Sequence, residues 1–172
     1  MIIFHLWFIS KKFLNKLFLL FYYMKKNNKP IIFGFYGESN TGKTKVISEI
    51  IKILTDDGYK IAAVKKTDKK INIDQTGKDT FKFSNAGSKL TILSSKHNTD
   101  FLVNRKMNIL DIIDIISNIG KFDVIFIEGA NYENIPKIRF GDIKKRENTI
   151  IDYNNNLKYI INLIKDEIKR FE

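Results

Sequence analysis

The octapeptide Gly37-Glu38-Ser39-Asn40-Thr41-Gly42-Lys43-Thr44 constrains this 172-residue chain more than any other feature. It fits G-x-x-x-x-G-K-[ST], the P-loop pattern, at every fixed position. In this composition the four fixed positions would match somewhere by chance with probability on the order of 1% or less. Each fixed residue has a physical job. The glycines let the backbone wrap tightly, so that its N–H groups turn inward toward phosphate oxygens. Lys43 supplies a mobile positive charge for β- and γ-phosphates, and the Thr44 hydroxyl is a hard oxygen ligand for Mg²⁺. A helix starting here adds the positive end of its dipole.

That chemistry needs a strand before the loop and a helix after it, and both are predicted. Ile31 to Tyr36 is a β-branched and aromatic run bounded by Pro30 and Gly37, which reads as a buried strand. Lys43 to Leu54 carries Val46, Ile47, Ile50 and Leu54 on one helical face, and Asp57-Gly58 ends it. Further strands are expected at Lys60 to Val64, Leu90 to Leu93, Phe122 to Ile127 and Lys137 to Phe140. Asp79 to Asn85, Asn108 to Ile119 and a terminal segment carrying Leu157, Ile160, Ile161, Ile164 and Ile168 read as helices. Strands alternating with helices imply an α/β chain, a P-loop NTPase three-layer fold with a mostly parallel central sheet.

Composition removes several function classes. There is no cysteine and there are two histidines, His5 and His97, so disulfides, thiolate metal sites and a multi-histidine zinc site are excluded. The net charge is +11, but it comes from 26 scattered lysines and only 4 arginines. Arginine is the main base-reading residue, so no nucleic-acid partner is expected. A general attraction for anionic ligands fits better.

Residues 1–23 differ from the rest. They are apolar and aromatic, but Lys11, Lys12 and Lys16 split them into runs too short for a membrane span, and the order of charge and small residues does not fit a secretory signal. Two readings stand. Either the stretch is an interfacial amphipathic anchor, or it is an extension outside the native fold, with Met24 as the true start. The second fits better, leaving 24–172 as a single P-loop nucleotide-binding domain and membrane association not expected.

A P-loop also needs an acid on a neighbouring strand to hold Mg²⁺ directly or through water. Glu128 ends the apolar run Val124-Ile125-Phe126-Ile127, at the carboxyl end that faces the ligand crevice of an open parallel sheet. Asp68 and Asp74 compete for this role. Lys65-Lys66-Thr67-Asp68 shares a lysine and an aspartate with the guanine-reading N-K-x-D motif, but precedes the acid strand, whereas that motif comes after it. The residues alone name no base and no catalytic base.

Downstream of the loop, Asp74-Gln75-Thr76-Gly77-Lys78-Asp79-Thr80 forms D-x-x-G-K-D-[ST], followed by Ala86-Gly87. With Ile127-Glu128-Gly129 and Lys137-Ile138 it resembles the MobB family, the molybdopterin-guanine dinucleotide biosynthesis adaptors, over about Ile31 to Phe140. The resemblance implies a cytoplasmic protein that binds GTP with Mg²⁺, hydrolyses it slowly and forms a homodimer. It implies a partner similar to MobA, the guanylyltransferase that joins GMP to molybdopterin for the molybdenum or tungsten cofactor. By position, Gly37 through Thr44 would hold phosphates, Thr44 and Glu128 the metal. Asp74, Gly77, Lys78, Asp79 and Glu128 would line the nucleotide or partner-facing crevice. Lys78 fits a cation beside polyphosphate or a solvated lysine. Asp79 fits a helix cap, an orienter of Lys78 or a holder of a metal-bound water. The sequence departs from the family's K-H-T-H-H-D stretch, which here reads Lys65-Lys66-Thr67-Asp68-Lys69-Lys70. The alternative function is a P-loop small-molecule kinase. Such an enzyme needs an arginine-rich lid, and only Arg105 and Arg139 are placed by sequence near the crevice.

Overall fold

The computed structural model describes residues 30–69, 71, 74 and 76–171. The extension 1–23 lies outside the described residues. The backbone groups into two compact units. One takes the described residues up to Lys66 and from Ile116 onward, and the other is Thr67–Ile115.

The first unit is built on a five-stranded, wholly parallel sheet in the order β2-β5-β1-β6-β7. Its strands are β1 (Ile31–Gly37), β2 (Ile61–Lys65), β5 (Val124–Glu128), β6 (Lys137–Phe140) and β7 (Thr149–Asp152). β1 lies between β5 and β6, and every residue from Ile31 to Tyr36 is buried. A strand covered on both faces must be a continuous apolar run, which is what I-I-F-G-F-Y and V-I-F-I supply. Phe35 meets Phe126 edge to face, with ring centroids 5.4 Å apart. Helix α1 (Lys43–Asp56) turns Ile47, Ile50 and Leu54 inward and packs on β1, β2 and β5. It also meets α4 (Leu157–Phe171), whose Ile160, Ile161, Ile164 and Ile168 are buried, and Lys165 reaches back to Asp57 at 2.6 Å.

The second unit holds α2 (Asp79–Asn85) and an antiparallel hairpin of β3 (Leu90–Ser94) and β4 (Thr99–Val103). Leu90 to Leu93 is a strand as expected, but it lies outside the parallel sheet. Only four residues, Ser95 to Asn98, join it to β4, and a parallel crossover needs a dozen or more. Thr91 is buried and its hydroxyl lies 3.4 Å from that of Ser84 in α2. Across the hairpin Leu90 pairs with Val103 and Ile92 with Phe101, and all four side chains are exposed. Helix α3 (Ile109–Ile119) crosses the boundary between the units. Asn108 caps it: its Oδ1 accepts from the Asp111 amide and its Nδ2 donates to the Asp111 carboxylate, both at 2.9 Å. Among the described residues no helix is long and apolar enough to cross a membrane.

Candidate functional site

β1 ends at Gly37, the loop turns through residues 38–42, and α1 begins at Lys43. Two loop residues take left-handed backbone, Asn40 at φ 63° and Gly42 at φ 77°. That alternation turns successive amides toward one concavity. Gly37 answers a different demand. A Cβ there would lie 2.2 Å from the carbonyl oxygen of Phe140 on β6. No side chain caps α1 and no acid sits in its first turn, so its positive end is not neutralised from within the helix.

Lys43 folds over the loop. Its ammonium donates to the Glu38 carbonyl and, at 3.0 Å, to the Thr41 hydroxyl, which itself donates to the Glu38 carbonyl at 2.9 Å. Burial holds the Lys43 pKa below the ordinary lysine value, and the ammonium of Lys65 adds to the lowering. The carboxylates of Glu128 and Glu38 pull the other way.

Glu128 closes β5 and is registered between Phe35 on β1 and Lys65 on β2. The Thr44 hydroxyl lies within hydrogen-bond reach of both its carboxylate oxygens, at 2.9 and 3.0 Å. Lys65 approaches the same carboxylate at 3.5 Å. The structure therefore brings the first helical turn and the end of the neighbouring strand onto one acid.

The segment after Glu128 is held firmly. Gly129 has φ 81°, and a Cβ there would meet the Lys66 carbonyl oxygen at 2.5 Å. Its amide and that of Ala130 both donate to the Phe35 carbonyl. Gly34 makes room for the segment, since a Cβ at 34 would lie 2.6 Å from that of Ala130. Three side chains then staple the segment. Lys137, fully buried in β6, donates to the carbonyls of Tyr132 and Ile135; Asn148 donates to Glu133; Arg146 donates to Ala130 at 2.6 Å.

The remaining candidate residues belong mostly to the second unit. Asp74 Oδ1 accepts from the Thr80 hydroxyl at 2.9 Å, while its Oδ2 is buried without a hydrogen-bond partner. Gly77 takes φ 90°. Lys78, not Asp79, occupies the cap position of α2, and no side-chain cap bond forms there. Asp79 is the first helical residue and its carboxylate pairs with Lys82 at 2.9 Å. Asp68 is exposed in that unit. Arg139, in β6 of the first unit and placed by sequence near the crevice, is committed elsewhere: it pairs with Asp152 at 2.7 Å and donates to the Ile143 carbonyl. Sequence reasoning missed the contact between Lys65 and Glu128. The available signal was a lysine at the carboxyl end of a strand beside the acid strand.

Residues 32–166 match the family model for molybdopterin guanine dinucleotide synthesis protein B. A Methanocaldococcus jannaschii relative is 32% identical over 148 residues, 79% of this chain and 61% of its own length. The chain thus spans about three fifths of that relative. The molybdopterin-guanine dinucleotide biosynthesis adapter protein of Escherichia coli is 29% identical over 127 residues, 70% of this chain and 73% of its own length; the archaeal relative carries a provisional form of the same name. The crystal structure of Bacillus subtilis MobB superposes with a TM-score of 0.64 at 20% identity, covering 80% of this chain and 97% of that one. The fold is an α/β P-loop fold, and the chain belongs to the MobB family.

Proposed function

We propose that this protein is a GTP-binding adaptor with weak, Mg²⁺-dependent GTPase activity that supports assembly of the molybdopterin-guanine dinucleotide form of the molybdenum or tungsten cofactor. The observation that carries the reading is the Thr44 hydroxyl set on both oxygens of Glu128 at the head of the phosphate loop. A hydroxyl and a carboxylate side by side are hard oxygen donors suited to Mg²⁺, which keeps several waters and takes further oxygens from phosphates. The two residues fit the ion, with Thr44 a direct ligand and Glu128 a direct or water-mediated one. Bound there, Mg²⁺ would neutralise charge developing on the transferred phosphoryl group. Gly37 through Lys43 would hold the β- and γ-phosphates through backbone amides and the Lys43 ammonium.

GTP as the nucleotide, a MobA-like guanylyltransferase as the partner, a homodimer and a cytoplasmic location rest on the resemblance to the MobB family; the relatives' names support only an adapter role in molybdopterin-guanine dinucleotide biosynthesis. Arg139 is tied to Asp152. Slow unassisted turnover fits a site where Arg139 is not directed at the phosphates, since an arginine so directed adds roughly 10³–10⁵ in rate. Asp74, Gly77, Lys78 and Asp79 are proposed as crevice or partner-facing residues.

The deciding measurement is calorimetry of the full chain with GTP and with ATP in the presence of Mg²⁺. Preference for GTP with negligible turnover is the expected result. ATP preference with rapid phosphorylation of a small acceptor would replace the adaptor with a kinase. In the Glu128→Gln variant the magnesium requirement for GTP binding is expected to weaken, with the magnesium midpoint rising about tenfold for the lost charge. An unchanged magnesium titration would move the metal role away from Glu128.

A further inference from the structure

Lys65 presses against the proposed metal acid, yet it holds neither the metal nor the phosphate loop. β2, β5 and β1 are consecutive in the sheet, and parallel register sets Lys65 directly beside Glu128. Neighbouring strands are about 4.8 Å apart. The carboxyl ends of these three strands therefore line up the phosphate loop, the acid and the Lys65 ammonium in that order. Thr44 and Glu128 mark where the metal and the terminal phosphate of a bound nucleotide would come together. Lys65 stands beyond them, at the terminal-phosphate end of the row and away from β6 and β7.

Its hold on Glu128 is loose. The distance is 3.5 Å and the Lys65 side chain is 61% exposed, against 17% for Glu128. Exposed ion pairs of this kind are cheap to break, being worth about 0–1 kcal/mol. A divalent cation drawn to Thr44 and Glu128 would compete with the ammonium for the same carboxylate and repel it. Lysine has a flexible four-carbon stem and three rotatable donors, so the displaced ammonium can swing to a neighbouring anion. In a nucleoside triphosphate complex the nearest new anion is the terminal phosphate. A nucleoside diphosphate offers none at that end.

We infer that Lys65 is a specificity-determining residue that reads the terminal phosphate, exchanging Glu128 for a γ-phosphate oxygen and so separating triphosphate from diphosphate. The inference rests on the proposed nucleotide binding and names a discriminating contact within the same site. Lys43 serves both nucleotides, because it covers the loop itself. Lys65 serves only one.

The test is calorimetry of the full chain with Mg²⁺, using GDP and a non-hydrolysable GTP analogue, for wild type, Lys65→Met and Lys65→Arg. Methionine keeps much of the stem length and removes the charge. The expected result is a loss of about tenfold in triphosphate affinity, the worth of one charge-assisted hydrogen bond, with diphosphate affinity unchanged. Arginine is expected to retain the preference. Equal losses for both nucleotides, or no loss for either, would overturn the inference and leave the proposed nucleotide binding intact. Failure of wild type to bind either nucleotide would overturn both. If Lys65→Met melts early, Lys65→Gln decides: it removes the charge but keeps a polar end, so the inference predicts a lower ratio of triphosphate to diphosphate affinity, whereas a role limited to holding Glu128 predicts the same ratio whichever residue stands there.

Discussion

Lys43→Ala is expected to lower affinity for Mg²⁺-GTP by at least about 100-fold, because a charge-assisted contact to phosphate is worth roughly 1.5–3 kcal/mol and Lys43 is placed to serve two phosphates. The fold is expected to survive. The ammonium bonds the Glu38 carbonyl and the Thr41 hydroxyl, within a loop whose residues 38–40 are exposed, so its removal leaves no buried group unpaired. The pH dependence carries a second signature. Phosphate favours the charged lysine, and burial lowers the pKa of Lys43 in the free protein below 10.5. Affinity in wild type should therefore decline as pH rises through that lowered value, earlier than for an ordinary lysine. In Lys43→Ala the part of the decline that sets in at this lowered value should vanish. Calorimetry across pH and a thermal melt check both parts, and unchanged affinity in the variant would sink the assignment of the loop.

The second large effect is expected at Gly37. An alanine Cβ would sit 2.2 Å from the Phe140 carbonyl and 2.8 Å from its Cβ, within the β1–β6 pairing. No side chain can yield there, so the strands must separate. The expected cost for Gly37→Ala is about 3 kcal/mol, near the upper range for overpacking, which lowers the melting temperature by roughly 10 °C in a chain of this size. Gly42→Ala is the informative control. Nothing lies within 4 Å of a Cβ at 42, and only its φ of 77° opposes the change, so a cost of about 1 kcal/mol is expected. Equal melting temperatures for the two variants would show that the close approach of β6 is not what requires glycine at 37.

The contrast between these glycines shows what a sequence can and cannot disclose. The spacing of Gly37 and Gly42 announces the loop, but not that one glycine answers to a neighbouring strand and the other to its own torsion. The central strands were readable because burial on both faces demands unbroken apolar runs, and α1, α3 and α4 because their apolar residues recur at helical spacing. β4 and β7 were not readable. T-D-F-L-V opens on polar residues and forms half of a hairpin with one exposed face, and T-I-I-D is a four-residue strand at the sheet edge. Neither needs the apolar run that betrays a core strand. The strand at Leu90 to Leu93 was readable, but its place in a separate hairpin was not, because alternating hydrophobicity does not say which strand is the neighbour. The approach of Lys65 to Glu128 spans 63 positions and depends on strand order, which local pattern does not encode. Lys137 presents the same difficulty: a lysine opening a short strand looks solvated on paper, yet it is buried beneath the segment after Glu128.

That buried lysine has a consequence for how the acid is aimed. Backbone carbonyls gathered around a cation are how many proteins seat a potassium or sodium ion. Here the cation is tethered by its own side chain, so it cannot exchange with solvent, be outcompeted or be diluted away. The carriage behind Glu128 is thus set at synthesis, and its aim does not depend on the ionic composition of the surroundings. Whatever responsiveness the site has must then enter from the opposite flank of the acid, where the hold is a long, loose and exposed one.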